Sequence, residues 1–396
     1  MIRAITGFLV AVLLLATPVW AQRAADPMLI RAAVLRVDAQ TLRPISRLEL
    51  PTADLGFAGA RLAIEDNDTT GRFMGQDFEA QEVATGPDGA NAALDSLIGA
   101  GIAFIVVLAD DQTTLALADR AGDRATILNA RARGDALRGA DCRANIIHVA
   151  PSHAMIADAL AQFLMWKNWP RWFLVEGSHP ADTDLADAYR RAASKFGAKI
   201  VETRVYEDTG GARRTDSGHV QVQKQMPVFT QRAPAYDVMI AADDSDVFAP
   251  YLPYQTWDPR PVAGSVGLVP RTWHPAMEAW GASQFQNRFE ELAGRPMREV
   301  DYQTWLALRM IGEAATRTGS ADPAVLRDFL LSDRFEVAGF KGQKLTIRDW
   351  DQQLRQPILL TTGDLMASVS PQGQYLHQVS QLDTLGIDRP ETECSF

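Results

Sequence analysis

The sequence predicts an α/β protein of two domains built on mostly parallel sheets. Strand-like and helix-like segments alternate along most of the chain, the pattern that feeds parallel strands through helical crossovers. Several of the strand-like segments are short and continuously apolar, as strands buried on both faces must be. About 375 residues remain beyond an expected export signal, enough for two domains.

The first residues set the compartment. Arg3 precedes the apolar run Phe8–Ala16 (FLVAVLLLA), and Pro18 breaks it before Val19-Trp20-Ala21. A positive start, a short apolar stretch and small residues at the cleavage site form a secretory signal. The run is too short for a spanning helix, which needs about 20 apolar residues. Residues 1–21 are therefore expected to be removed on export.

The elements follow in order. Leu29–Val37 reads as a strand, Gly59–Asp66 as a helix, Phe78–Val83 as a strand and Ala92–Ile98 as a helix with Leu94, Leu97 and Ile98 on one face. Ile102–Leu108 (IAFIVVL) is a buried strand and Thr126–Asn129 a further one. A stripe of Ile156, Ala159, Leu160, Phe163 and Leu164 marks the next helix, before the strand Arg171–Glu176. Leu185, Ala188, Tyr189 and Ala192 mark another helix, followed by strands at Lys199–Tyr206, Tyr236–Ala241 and Pro261–Val266. The polar stretch Asp208–Gln225 is expected to be a long loop or hairpin.

Ligands of open α/β sheets bind beyond the carboxyl ends of the strands. Five such ends are polar here. They carry Asp110, Asp111, Thr113 and Thr114; Arg131 and Arg133; Asp182 and Asp184; Asp243 and Asp244; and Arg271 with Trp273. Single polar residues at such ends also serve as helix N-caps. Their recurrence at five ends points to a cleft.

Composition excludes several functions. Export would remove one arginine and take the net charge from −10 to −11, which argues against nucleic acid as a partner. Six histidines and two cysteines leave little material for a His/Cys metal site, and none is expected. Catalytic or nucleotide motifs of the HExxH, GxSxG, GxGxxG, P-loop and CxxC types are absent. His148, His153 and His179 fall near the expected cleft, but a His–Asp pair alone is more often structural than catalytic. Asp66-Asn67-Asp68-Thr69-Thr70-Gly71 opens like a calcium loop, yet Asp77 stands where that loop carries its bidentate Glu. Cys142 and Cys394 are expected to form a disulfide in an oxidising compartment, with two buried thiols as the alternative.

Certain segments resemble a known family. GARLAIEDNDTTGRFMG (59–75), residues 148–201 and VDYQTWLALRMIGEAATRT (300–318) are similar, in that order, to type I periplasmic binding proteins of the branched-chain amino acid class. YLPYQTWDPR (251–260), AGFKGQKL (338–345), RDWDQQLRQPILL (348–360) and LDTLGIDRPETEC (382–394) resemble the branch associated with pyrroloquinoline quinone (PQQ)-dependent alcohol dehydrogenase systems. Cys142 and Cys394 match cysteine positions of that branch.

The resemblance implies two lobes joined by three crossovers. One is formed by 22–148 with 272–355, the other by 149–271 with 356–396. It implies a periplasmic substrate-binding component of an ABC-type transporter, with an inner-membrane permease as partner, no catalysis and no required cofactor. In amino-acid binders of the family, hydroxyls and backbone N–H groups of two first-lobe loops hold the ligand carboxylate. Here those loops contribute Asp110, Asp111, Thr113 and Thr114, and Arg131 and Arg133. The aspartates and arginines depart from that pattern and put a plain branched-chain amino acid in doubt.

Two ligand chemistries follow from charge. Arg131, Arg133, Arg260 and Arg271 could grip carboxylates, with Trp257 and Trp273 stacked on a flat ring, which suits PQQ or a related anion. Alternatively Asp110, Asp111, Asp182, Asp184, Asp243 and Asp244 could surround a hard cation such as calcium or a lanthanide. Helix capping and ion pairing among these same residues is the third reading. An alcohol-derived metabolite, and a ligand-sensing receptor on the same fold, remain alternatives.

Overall fold

The computed structural model of the chain describes residues 27–39, 42, 44–208 and 221–396. The expected signal, 1–21, lies outside them. The first sheet comprises β1 (Met28–Val37), β2 (Gln76–Thr85), β3 (Phe104–Leu108), β4 (Thr126–Asn129) and β5 (Ile146–His148). All neighbours are parallel, in the order β2-β1-β3-β4-β5. The helices α1 (Phe57–Met74), α2 (Ala90–Gly99) and α3 (Asp111–Ala121) supply the crossovers. Every residue of β3 is buried, as its β-branched run predicts.

After β5 the chain enters a second body. Helix α4 (His153–Trp166) leads to β6 (Arg171–Gly177), α5 (Pro180–Phe196), β7 (Lys199–Tyr206), α6 (Val222–Thr230), β8 (Val238–Ala242), the short α7 (Leu252–Gln255) and β9 (Val262–Gly264). This sheet is also parallel, ordered β7-β6-β8-β9. Strand β9 stops earlier than its apolar run suggests, because the backbone turns at Gly264 with φ 104°. A Cβ there would stand 2.3 Å from the Ala241 carbonyl oxygen, so only glycine permits the bend. Of the loop expected over Asp208–Gln225, residues 209–220 lie outside the described part; Val222 onward is helical.

Strand β10 (Val269–Arg271) then leads back to the first body through α8 (Ala282–Ala293), α9 (Glu299–Thr318), α10 (Pro323–Leu330), β11 (Val337–Ala338), β12 (Lys344–Ile347) and β13 (Leu354–Arg355). A final crossing reaches β14 (Ile358–Thr362), which pairs antiparallel with β10, and β15 (Leu365–Ser370), which pairs antiparallel with β14. The result is a two-lobed α/β fold with three crossovers. One apolar core joins the first sheet to α1, α8, α9 and α10; another joins α4 and α5 to β6 and β8.

Helix α1 runs through Asp66–Gly71 and ends at Gly75, a left-handed C-cap at φ 66°. The residues resembling a calcium loop are therefore helical. Asp66 pairs with Arg288 and accepts the Trp305 indole N–H at 2.8 Å, while Asn67 donates to the Leu308 carbonyl.

The crossovers are bonded to one another. Arg138 is 2 % exposed; it donates to Gln353 Oε1 and to the carbonyls of Ala132, Gly134 and Ala150. Gln353 returns its amide to His148 and Ala150 carbonyls. Gln356 donates to the Val149 carbonyl at 2.7 Å and accepts from the buried Lys341 ammonium at 2.8 Å.

Cys142 and Cys394 form the expected disulfide, with Cα atoms 5.7 Å apart across a sequence separation of 252. The C-terminal segment thereby reaches back to the loop before β5. On the way, the Gly386 N–H bonds Asp158 of α4 and Thr384 accepts from Gln162.

Candidate functional site

A cleft lies between the lobes at the carboxyl ends of both sheets, in two neighbouring compartments that share His153 in their walls. The inner one, about 170 Å³, is lined from one side by Arg133, Arg271 and Glu299 and from the other by His153, Tyr189 and Asp244. The outer one, about 390 Å³, lies between Asp111, Gly134 and Asp135 on one side and Asp184, Asp187 and Arg191 on the other. His153 lines both.

The first-lobe wall is built by local hydrogen bonds. Asp110 caps α3 by accepting the Thr113 N–H at 2.7 Å. Asp111 accepts the Gly134 N–H at 3.0 Å, tying α3 to the next loop. A Cβ on residue 134 would fall 2.2 Å from that carboxylate, so a larger residue would push the Asp111 side chain aside. The side-chain oxygen of Asn129 accepts from the Arg131 and Ala132 N–H groups, which turns the loop so that Arg133 faces the cleft while the Arg131 side chain is exposed. Thr113 is half-buried; Thr114 is buried and its hydroxyl has no partner.

Glu299, at the start of α9, organises the inner compartment. It accepts from Arg133 at 3.0 Å, from Arg271 at 3.3 Å, and from the backbone and hydroxyl of Thr272. Burial raises its pKa, but the two guanidiniums and the Thr272 bonds outweigh this and hold it below the ordinary carboxylate value. Sequence reasoning missed Glu299, because its two arginines lie 166 and 28 residues away.

The second-lobe wall carries His153 at the first turn of α4. Its backbone N–H donates to the Arg133 carbonyl and the adjacent Ala154 N–H to Asp135, so the two lobes touch here. The ring is 6 % exposed and its Nδ1 has no hydrogen-bond partner. Burial pushes the imidazole pKa down, against the pull of Asp244, Asp135 and Asp111. The other two histidines hold structure. His148 bonds Asn129 and the Leu137 carbonyl, and His179 bonds Asp208.

Several expected ligand contacts have other tasks. Trp273 sits in the first-lobe core, 1 % exposed, with its ring stacked on Tyr302 at 5.0 Å and its indole N–H given to Gln286; it does not reach the cleft. Asp182 is fully buried and accepts the His179 and Ser245 N–H groups. Asp243 borders the inner compartment, but its carboxylate receives the N–H groups of Val247, Phe248 and Ala249 at 2.6–2.8 Å. Burial, opposed by those three bonds, pushes its carboxyl up to about 6. Trp257 and Arg260 are exposed and line neither compartment, Trp257 with its N–H on the Thr230 hydroxyl. Of the residues expected, Asp111, Arg133, Asp184, Asp243, Asp244 and Arg271 are brought together at the cleft.

The placement of Asp243 makes a stability prediction. Asp243→Asn offers an amide N–H₂ where the backbone needs an acceptor, and each buried polar group left unsatisfied costs about 1–3 kcal/mol. Urea denaturation should show a loss of roughly 2–3 kcal/mol. An unchanged midpoint would remove the turn-holding role.

Among the described residues, no group of three or more His, Cys, Asp or Glu is placed to hold a metal ion, and no helix is long and apolar enough to cross a membrane.

The comparisons with known proteins agree with this geometry. Residues 51–216 match the family model described as periplasmic binding protein. No curated protein matches the chain. The structure is similar to that of a leucine-, isoleucine-, valine-, threonine- and alanine-binding protein from Brucella ovis in its closed conformation, with a TM-score of 0.69 and 15 % identity over 87 % of this chain and 95 % of that one. It is similar to an ABC transporter solute-binding protein from R. palustris in complex with benzoate, with a TM-score of 0.64 and 13 % identity over 93 % and 99 % of the two chains. An ABC transporter substrate-binding protein from Desulfitobacterium hafniense in complex with Leu gives a TM-score of 0.63 and 16 % identity over 85 % and 99 %. With two lobes, three crossovers and a cleft at the carboxyl ends of both sheets, this chain has the type I periplasmic-binding-protein fold.

Proposed function

We propose that the chain is the periplasmic substrate-binding component of an ABC-type transporter and carries a small polar ligand between its lobes. The observation that carries this reading is the inner compartment, where Arg133, Arg271 and Glu299 face His153, Tyr189 and Asp244 across the cleft. A binding protein of this design needs no cofactor and turns nothing over. The lobes close on the ligand, water leaves, and the remaining charge-assisted bonds strengthen.

The ligand group this compartment favours is a carboxylate. Two arginines share one glutamate, so a ligand carboxylate can take a guanidinium face from Glu299 without leaving that glutamate unpartnered, since Thr272 still bonds it. Neighbouring structures of this fold hold benzoate and Leu, both carboxylates. PQQ or a related anion is the candidate that links the chain to PQQ-dependent alcohol oxidation, supported by the resemblance of 251–260, 338–345, 348–360 and 382–394 to that branch.

Titration calorimetry against PQQ, benzoate and leucine tests the reading. Arg271→Ala and Arg133→Ala should each weaken binding of the anion by about 10-fold to 100-fold, the worth of one charge-assisted hydrogen bond of about 1.5–3 kcal/mol. Glu299→Gln should tighten it by freeing the arginines. Anion affinity indifferent to all three variants would rule out the inner compartment as its seat. Calorimetry suits this better than tryptophan emission, because Trp273 is enclosed in the core.

A further inference from the structure

The second-lobe wall of the inner compartment holds one hydroxyl that the fold itself does not use. Tyr189 lies on α5, in the stripe with Leu185, Ala188 and Ala192 that packs into the second core, and it is 1 % exposed. A tyrosine so deeply placed ordinarily finds a partner for its O–H, because a buried polar atom without one is costly. The Tyr189 hydroxyl has no hydrogen-bond partner among the described residues. Nor is it sealed. The unpartnered hydroxyls shut off from solvent are those of Thr52, Thr114 and Tyr236, whereas Tyr189 opens on the inner compartment.

Electrostatics place this phenol between the two walls. The charge of Arg133, on the facing side, acts on it, and so does that of Asp244 on its own side. Burial holds its pKa far above the ordinary phenol value. The group therefore stays a neutral O–H at physiological pH, with one hydrogen bond to donate.

Its neighbours leave it that task. The Ser265 hydroxyl donates to the Ala241 carbonyl and accepts the Asp243 N–H. The Asp243 carboxylate is occupied by three backbone N–H groups. Ile156 and Leu185 are apolar. Asp244 repels an anion, and burial disfavours the charged form of His153. A carboxylate seated on Arg133 and Arg271 meets, from the second lobe, one hydroxyl free to bond it.

We propose that Tyr189 is a ligand-binding residue of the second lobe: its hydroxyl donates to the carboxylate that Arg133 and Arg271 hold, so that one group of the ligand is gripped from both sides of the cleft. The inference rests on the carboxylate reading of the inner compartment and gives it a direction. A carboxylate bonded by first-lobe arginines alone does not distinguish open lobes from closed ones. A further bond from α5 forms when the second lobe has come up to the ligand, and that differential contact is what lets binding favour closure.

Titration calorimetry of the disulfide-intact chain with benzoate, PQQ and leucine tests it, beside urea denaturation of each variant. Tyr189→Phe removes one oxygen and keeps the ring in the core, so the urea midpoint should hold while the anion that wild type binds should bind about tenfold more weakly or worse. Tyr236→Phe is the control. It also removes an unpartnered hydroxyl from a buried tyrosine, but a sealed one that lines neither compartment, and affinity should stay within about twofold. Tyr189→Phe combined with Arg271→Ala should lose less than the product of the two single losses, because both act on one carboxylate. The contact is overturned if Tyr189→Phe binds like wild type, if Tyr236→Phe loses as much, if the loss comes with a fallen urea midpoint, or if the double variant's losses simply multiply. Weakening by Arg271→Ala without weakening by Tyr189→Phe keeps the carboxylate reading and discards this contact. No saturable heat from any of the three with wild type discards both.

Discussion

Asp383→Ala should destabilise the chain by about 3–5 kcal/mol, the cost of breaking a buried ion pair from one side. Its side chain is fully buried, and one oxygen receives the Nε–H of both Arg348, at 2.9 Å, and Arg355, at 2.7 Å. Arg348 is itself 1 % exposed and also donates to the Leu382, Leu385 and Ile387 carbonyls. Both guanidiniums lie 5.2 Å from the Trp350 ring. Removing the carboxylate leaves the buried Arg348 and the largely buried Arg355 without it, with Asp351, 3.7 Å from Arg348, in partial compensation. Asp383→Asn keeps an acceptor and loses the charge, so its cost should be intermediate. Equilibrium urea denaturation of both variants checks the order. A loss under about 1 kcal/mol for the alanine variant would mean that the two arginines find other partners.

Removing the Cys142–Cys394 bond should cost about 2–5 kcal/mol. The bridge closes a loop of 252 residues, and in the chain-entropy model a loop of that length lies at the upper end of disulfide stabilisation. Cys394→Ser should lower the denaturation midpoint under oxidising conditions and abolish its dependence on added reductant. Wild-type protein should show that dependence in full. Equal midpoints for oxidised and reduced wild type would show that the tail holds its place without the bond.

The alternation of elements was legible because buried parallel strands need continuous apolar runs, and those of β3, β4 and β8 are wholly buried. Helix α3 was hidden by its own N-terminus. Asp110-Asp111-Gln112-Thr113-Thr114 resembles a binding loop, yet Asp110 is the cap that starts the helix. The same ambiguity covers Asp182 and Asp243, whose carboxylates serve backbone N–H groups. The short antiparallel sheet of β10, β14 and β15 was not legible, since its pairing joins segments about ninety residues apart. Trp273 misled for a related reason. Its neighbour Arg271 faces the cleft, but the rings that enclose Trp273 come from α8 and α9. Residues that act through distant partners, as Glu299 does with Arg133, leave no local pattern to read.

The C-terminal segment has a mechanical consequence. It is bonded to the first lobe through Cys394 and through Asp383, and to α4 of the second through Thr384 and Gly386. Together with the bonded crossovers it forms a strap between the lobes. Such a strap acts as a fulcrum. The lobes can then separate by rotation about it rather than by translation, and the angle through which they swing is set by the tail as much as by the crossovers. Cutting the disulfide would therefore change the compliance of the whole molecule, visible in solution scattering as a wider spread of opening angles.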